Sequence, residues 1–195
     1  MSIIVGITGL SGSGKDTLAD ILTSIAVKRG IQSICLKLSD EIREDALNSG
    51  VNFDQINRKI LIRIGNHLRS TYGGGILAKR ILERISTKLS LLEFGIIIIT
   101  GIRNPEEVEV FQNELQEKFV LVGVEADPSV RRARKLTRKQ YKEDANPSED
   151  IDKADEDIGI KTCIEMSQIR FGNNGTKEEL IEQAQELFAR YISSP

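Results

Sequence analysis

Short apolar runs rich in β-branched residues recur along the chain at Ile3 to Thr8, Ile31 to Leu38, Phe94 to Thr100 and Phe119 to Val124, with a weaker one at Gln168 to Phe171. Each has the length and composition of a buried strand. Between them the apolar period changes. Leu18, Ile21, Leu22 and Ile25 fall at i, i+3, i+4 and i+7, which predicts a helix starting near Lys15 with one buried face. Asn104-Pro105-Glu106-Glu107 supplies an N-cap, a proline at the first helical position and a glutamate at the third, ahead of Val108, Phe111 and Leu115. Thr176-Lys177-Glu178-Glu179 supplies a second capping box. Strands alternating with helices predict an α/β architecture, a parallel five-stranded sheet covered on both faces, with ligands bound at the carboxyl ends of the strands. Residues 39–92 read as helical, broken at Gly73-Gly74-Gly75, which is either a hinge or a loop joining two helices.

Composition narrows this picture. The 195 residues are 39% hydrophobic and 29% charged with 4 prolines, which suits a single domain spanning 1–195 rather than a disordered chain. With 29 acidic and 27 basic side chains the formal charge is −2, and only 5% of residues are aromatic. There is thus no broad basic field for nucleic acid or an anionic membrane, and little to stack on bases. The longest apolar run, Ile96 to Ile99, is too short to span a bilayer, and the start Met1-Ser2-Ile3 lacks the charged region of a signal peptide. The expected location is cytoplasmic. Cys35 and Cys163 have no C-x-x-C spacing and read as small buried hydrophobes. The oligomeric state expected is a monomer or a two-fold homodimer.

The strongest chemical signal follows the first strand. Gly9-Leu10-Ser11-Gly12-Ser13-Gly14-Lys15-Asp16-Thr17 fits G-x-x-x-x-G-K, with a strand before it and a helix after it. Curled backbone N–H groups across Gly9, Ser11, Gly12, Ser13 and Gly14 can cradle phosphates, the helix N-terminus adds positive charge, and Lys15 can reach the terminal phosphates of ATP. Asp16 stands where Ser or Thr is usual. An aspartate beside a triphosphate calls for a cation between them, so Asp16 is expected to contact Mg2+, directly or through water, and Thr17 a phosphate oxygen. No N-K-x-D guanine-reading motif accompanies the loop.

At this point the chain resembles the P-loop nucleoside-monophosphate-kinase-like family. The loop ending Gly14-Lys15-Asp16-Thr17-Leu18-Ala19-Asp20 is similar to that of deoxynucleoside monophosphate kinases. Leu38-Ser39-Asp40-Glu41-Ile42-Arg43 is similar to the end of the family's second strand, where an acidic residue and an arginine face the phosphate acceptor. The segments from Gly65 to Gly73 and from Gly101 to Val108 resemble archaeal adenylate-kinase-related proteins and the kinase-like domain attached to some deoxycytidylate deaminases. Asn173-Asn174-Gly175-Thr176 is similar to the adenine-cupping loop of dephospho-CoA kinases. The resemblance implies a three-layer α/β/α P-loop NTPase fold, a helical acceptor-binding insertion at 39–92, a lid at 131–157, and adenine contacts at Asn173 and Gly175. One position departs from it. Relatives end the third strand with an aspartate that helps hold magnesium, whereas here it reads Ile99-Thr100-Gly101. Either Asp16 or Asp40 supplies the missing carboxylate, or the protein binds nucleotide and transfers phosphate poorly.

Positive charge meets the transferring group in phosphoryl transfer, and arginines on a mobile lid are the family's means of supplying it. From Arg131 to Lys139 the chain is basic, then acidic through Glu143, Asp144, Glu149, Asp150, Asp152, Asp155, Glu156 and Asp157. Arg134 and Arg138 are the expected catalytic arginines, with Arg131 next; a solvated helix face is the alternative. Arg43, Arg69 and Arg103 are expected to hold a phosphorylated acceptor. Asp40 is the candidate base or acceptor-orienting carboxylate, or else a helix N-cap. His67, the only histidine, reads as a helix-surface residue. The leading expectation is an ATP- and Mg2+-dependent kinase acting on a nucleoside or deoxynucleoside monophosphate. Dephospho-CoA as acceptor, and a nucleotide-binding regulatory module motivated by Thr100, are the alternatives.

Overall fold

A computed structural model describes residues 3–89, 95–138 and 149–192. Five parallel strands form one sheet: β1 (Ile3–Thr8), β2 (Gln32–Lys37), β3 (Gly95–Ile102), β4 (Phe119–Glu125) and β5 (Ile169–Gly172), in the order β2-β3-β1-β4-β5. Val5 pairs with Ile98 of β3 on one side and Val120 of β4 on the other, which makes β1 the central strand. β1 and β3 are apolar on both sides because helices cover both faces.

Alternate side chains of β1 serve two cores. Val5 and Ile7 pack with Leu18 and Leu22 of α1 (Lys15–Lys28) and with Leu187 and Phe188 of α9 (Lys177–Tyr191). Ile4 joins the opposite core, with Ile42 of α2 (Leu38–Asn48), Leu61 of α3 (Arg58–Tyr72), Ile81 of α4 (Ile76–Leu89), Phe111 of α5 (Pro105–Leu115) and Cys163 of α8 (Ile160–Glu165). The remaining helices are α6 (Pro128–Arg138) and α7 (Glu149–Ile158). This is the three-layer α/β/α arrangement expected from the alternation of elements.

Both capping boxes form. The Asn104 and Thr176 side chains each accept from the backbone of the first turn, and Glu107 and Glu179 reach back to the cap. The third strand runs on beyond Thr100 to Ile102. Gly101, at φ +85, absorbs an irregularity that shifts the register so that Ile7 faces Thr100 but Thr8 faces Ile102. The beginning of that run, Phe94, lies outside the described residues, as do residues 90–92 of the helical region and 139–148 of the expected lid. The triple glycine is a loop between α3 and α4 packed on α5: a Cβ on Gly74 would lie 2.6 Å from the Glu106 carboxylate, and one on Gly75 2.7 Å from Val110.

One expectation needs correction. Cys163 is buried, but Cys35 is exposed. β2 is an edge strand with a neighbouring strand on one side only, so its side chains are less covered than those of β1 and β3. Among the described residues, no helix is long and apolar enough to cross a membrane.

Candidate phosphate-loop site

The loop from Gly9 to Gly14 leaves β1 at its carboxyl end and turns into α1. Gly12 and Gly14 have φ of +83 and +101, a region disfavoured for residues with a Cβ. A Cβ on Gly14 would also overlap the Asn173 amide, which donates to the Ser13 carbonyl at 2.7 Å. The loop after β5 therefore braces the phosphate loop from behind. Arg134 completes the brace, donating to the Asn173 carbonyl at 2.9 Å. Asn173 and Arg134 thus meet at the phosphate loop, and the exposed Gly175 lies just beyond them. Ser11 and Ser13 are buried within the loop, and Ser13 Oγ has no hydrogen-bond partner among the described residues.

Lys15 opens α1 and is 7% exposed. Burial pulls its ammonium pKa down to about 8, against the opposing pull of Asp16, whose carboxylate lies 3.8 Å away. Arg103 and Arg58 push in the same direction as burial. Lys15 is therefore a cation held among cations, a setting that an anionic ligand would stabilise.

In front of Lys15 is a cavity of about 540 Å³. Ser11, Asp16 and Thr17 line it from the phosphate loop and α1, Thr100 from β3, and Arg43, Arg58, Arg69 and Arg103 from the acceptor side. The three expected acceptor arginines, Arg43, Arg69 and Arg103, are thus brought to the same cavity as Lys15. Asp40 does not line it. It sits half-exposed in the first turn of α2, paired with Arg43 at 2.6 Å, and the cap position of that helix is Lys37 rather than Asp40. His67 is exposed on α3.

The lid arginines separate. Arg131 is buried, donating to the carbonyls of Ser11 and Ala126 and pairing with Asp152 of α7 at 2.6 Å; Lys135 pairs with the same carboxylate at 2.7 Å. Arg134 contacts the phosphate loop as described, and the Arg138 side chain lies outside the described residues.

Four residues of this site carried no functional signal in the sequence. Asp155 sits in an acidic run that reads as a solvated face, yet it is 3% exposed and lines the cavity. Its Oδ1 is 3.0 Å from Arg103 Nε and its Oδ2 3.9 Å from Arg58 Nη2, while Oδ2 has no hydrogen-bond partner among the described residues. Arg58 is the first residue of α3 and has no motif around it in the sequence. Glu107 reads as a capping residue and also holds Arg69. Asp152 anchors α7 to α6. An acidic run twelve or more residues from its partners gives no local pattern, so only tertiary placement distinguishes buried acids from solvated ones.

Comparison with known proteins agrees with this architecture. The AAA domain family (AAA_18) matches residues 5–157. The chain is 27% identical over 190 residues to a UPF0200/UPF0201 protein of Archaeoglobus fulgidus, covering 96% of this chain and 55% of that protein, so it spans about half the length of that relative. It is 26% identical to a UPF0200 protein of Thermococcus kodakarensis, covering 98% and 99% of the two chains. Among solved structures, TT1252 from Thermus thermophilus superposes with a TM-score of 0.64 at 20% identity, covering 99% of both chains. Shikimate kinase from Bacteroides thetaiotaomicron gives 0.55 at 18% identity, covering 95% of this chain and 98% of that one. The Mycobacterium tuberculosis APS kinase CysC, in complex with AMPPNP and APS, gives 0.57 at 17%, covering 98% of each. With a phosphate loop feeding α1 and a five-stranded parallel sheet shared with kinases, the chain belongs to the AAA domain family and has a P-loop kinase-like fold.

Proposed function

We propose that this chain is a cytoplasmic ATP- and Mg2+-dependent phosphotransferase that moves the γ-phosphoryl group onto a nucleoside or deoxynucleoside monophosphate. The observation that carries the reading is one cavity lined both by Lys15 of the phosphate loop and by Arg43, Arg58, Arg69 and Arg103. A nucleotide cradled at the phosphate loop and a second anion opposite it are what transfer between two phosphorylated molecules requires. An acceptor phosphate oxygen bonds to the γ-phosphorus while the bond from that phosphorus to the bridging oxygen of ADP breaks. Lys15 and the arginines meet the charge spread over the transferring group. Arg134 and Arg138 are proposed to supply further positive charge, Gly9, Ser11, Gly12, Ser13 and Gly14 the backbone cradle, and Asn173 and Gly175 the adenine contacts. Asp40 is proposed to act on the acceptor through Arg43, with which it is paired. The fold neighbours support the reading in kind, since two of them are kinases and one was captured with AMPPNP and APS together.

The oxygen donors fit Mg2+. No cluster of three or more His, Cys, Asp or Glu side chains able to hold a metal occurs among the described residues. Asp16 and Thr17 do line the cavity beside Lys15. One or two protein oxygens, completed by phosphates and water, are how Mg2+ is ordinarily held beside a triphosphate. Asp16 would hold it, directly or through water, and it would neutralise phosphate charge, while Thr17 would meet a phosphate oxygen.

A second reading is favoured by one observation. Asp155 places a buried carboxylate in the wall of the cavity, and a hydroxyl acceptor, as in dephospho-CoA, needs a carboxylate near the reacting oxygen. The deciding experiment is ADP release with Mg-ATP against a panel of ribo- and deoxyribonucleoside monophosphates and dephospho-CoA, with Lys15→Ala as control. Turnover that depends on a monophosphate and vanishes in the variant supports the first reading. Turnover with dephospho-CoA alone supports the second. Tight nucleotide binding with no acceptor-dependent turnover rejects both and leaves the regulatory module that Thr100 suggests.

A further inference from the structure

Glu107 is 0% exposed, in the first turn of α5. A carboxylate there is tolerated only when every lone pair it presents is met. Oε1 accepts from Arg69 Nε at 3.0 Å and from Arg69 Nη2 at 2.7 Å. Oε2 accepts from the backbone N–H groups of Arg103 at 2.9 Å and Asn104 at 3.1 Å. One buried anion thus ties a side chain of α3 to the backbone that follows β3, across 38 residues of sequence. Arg69 and Arg103 both line the cavity that Lys15 also lines.

A second, independent feature belongs to the same arrangement. Gly65 precedes Arg69 by one helical turn inside α3, where glycine is normally disfavoured. A Cβ there would come 3.1 Å from Arg69 Nη1 and 3.0 Å from Ile42. The missing side chain leaves room for the guanidinium to lie back along the helix, with its Nε and Nη2 edge on Glu107 and its other N–H groups unspent on that carboxylate.

We propose that Glu107 is the positioning residue of an acceptor phosphate site: it fixes the Arg69 guanidinium directly and the Arg103 backbone beside it, so that Arg69, with Arg103 next to it, receives the phosphate monoester of the acceptor. The proposal deepens the phosphotransferase reading and rests on it for the acceptor's role. Because the guanidinium plane is fixed before the ligand arrives, the unit favours a tetrahedral dianion that takes several N–H groups at once. Glu107 itself never touches the acceptor.

The test joins kinetics to a signal that needs no turnover. Glu107→Gln, Arg69→Met, the double variant and Gly65→Ala are compared for acceptor KM, Mg-ATP KM and kcat. In the protein saturated with Mg-ADP, the Arg69 Nε–Hε resonance is followed while AMP, CMP, GMP or UMP is added. Glu107→Gln and Gly65→Ala should each raise acceptor KM about ten-fold or more and leave Mg-ATP KM within about two-fold, and the double variant should be no worse than Arg69→Met alone. The Arg69 resonance should move with at least one monophosphate in the wild type and not in Glu107→Gln.

Equal increases in both KM values, additive losses in the double variant, or an Arg69 resonance that no monophosphate moves would overturn the proposal. If Glu107→Gln does not fold, Gly65→Ala carries the test, and an unchanged acceptor KM or an unperturbed titration in that variant overturns it. If no monophosphate is turned over, the kinase reading fails, while the titration still decides whether Glu107 holds an anion site.

Discussion

At the scale of single residues, the electrostatics of Lys15 make a prediction about protons. Burial has brought its pKa down to about 8, so near that pH the ligand-free ammonium is partly deprotonated. A triphosphate against it favours the charged form and raises the pKa toward the ordinary value. Nucleotide binding should therefore take up roughly half a proton near pH 8 and almost none near pH 6.5, and affinity should fall as pH rises through the ligand-free value. Calorimetry at pH 8 in two buffers of different ionisation enthalpy measures this. Identical heats in both, or the same uptake in Lys15→Ala, would contradict the assignment. The cysteines make a second residue-scale prediction. Cys35 is exposed, whereas Cys163 is buried and its thiol is pushed up to about 12 by burial, with the Glu107 charge adding to it. A disulfide reagent on the native protein should titrate one thiol readily and the second only after denaturant is added; two fast thiols would mean that the core around α8 is open.

At the scale of elements, local signals were legible and long-range ones were not. The capping boxes at Asn104 and Thr176 and the buried face of α1 depend on residues within one or two turns, so spacing alone exposed them. The phosphate loop was legible for the same reason, since its glycines, lysine and flanking elements are contiguous. Glu107 carries its role through Arg69, 38 residues away, Gly65 carries its own by making room for that same contact, and Asp152 and Asp155 looked like any solvated acidic run. Asp152 shows what that run contributes. Burial alone would raise its pKa, but hydrogen bonds from Lys135 and Arg131 outweigh it and hold the carboxyl below the usual carboxylate range. Those bonds fasten α7 to α6, and Arg131 also braces the Ser11 carbonyl. Asp152→Asn should cost about 1–3 kcal/mol at neutral pH, read from the urea midpoint. A carboxyl with a lowered folded pKa stabilises fully above its unfolded value of about 3.9, and that contribution is lost as pH falls through the folded value. Wild type and variant should therefore begin to converge below about pH 4 and meet only below the lowered folded value, and a gap that persists below that value would show that the loss is one of packing rather than of charge.

At the scale of the whole molecule, the strand order gathers the cavity-lining groups at the carboxyl ends of the central strands. β1 and β3 are adjacent in its middle, so the phosphate loop after β1 and the Thr100 to Asn104 segment at the end of β3 flank one crevice. α2 and α3 stand on one side of it, and α7 contributes Asp155 from the far end of the sequence. Cations outnumber acids among the lining residues, and Asp155, whose Oδ2 accepts no hydrogen bond among the described residues and lies 3.9 Å from Arg58, offsets that excess incompletely. Like charges held together by a fold lower its stability, and an anion that binds only the folded state recovers it. For a ligand at 100 times its dissociation constant the gain is about 2.7 kcal/mol, which for a domain of this size is a rise in melting temperature of roughly 5–10 °C. Mg-ATP should produce that rise, and a monophosphate acceptor added with Mg-ADP should extend it, because the two anions are proposed to meet different cations of the same cavity. Lys15→Ala should abolish the first increment and Arg69→Met the second, each leaving the other in place. If both variants lose both increments, the two sets of cations form a single anion site, and a nucleotide alone, with no second substrate, would fill the cavity.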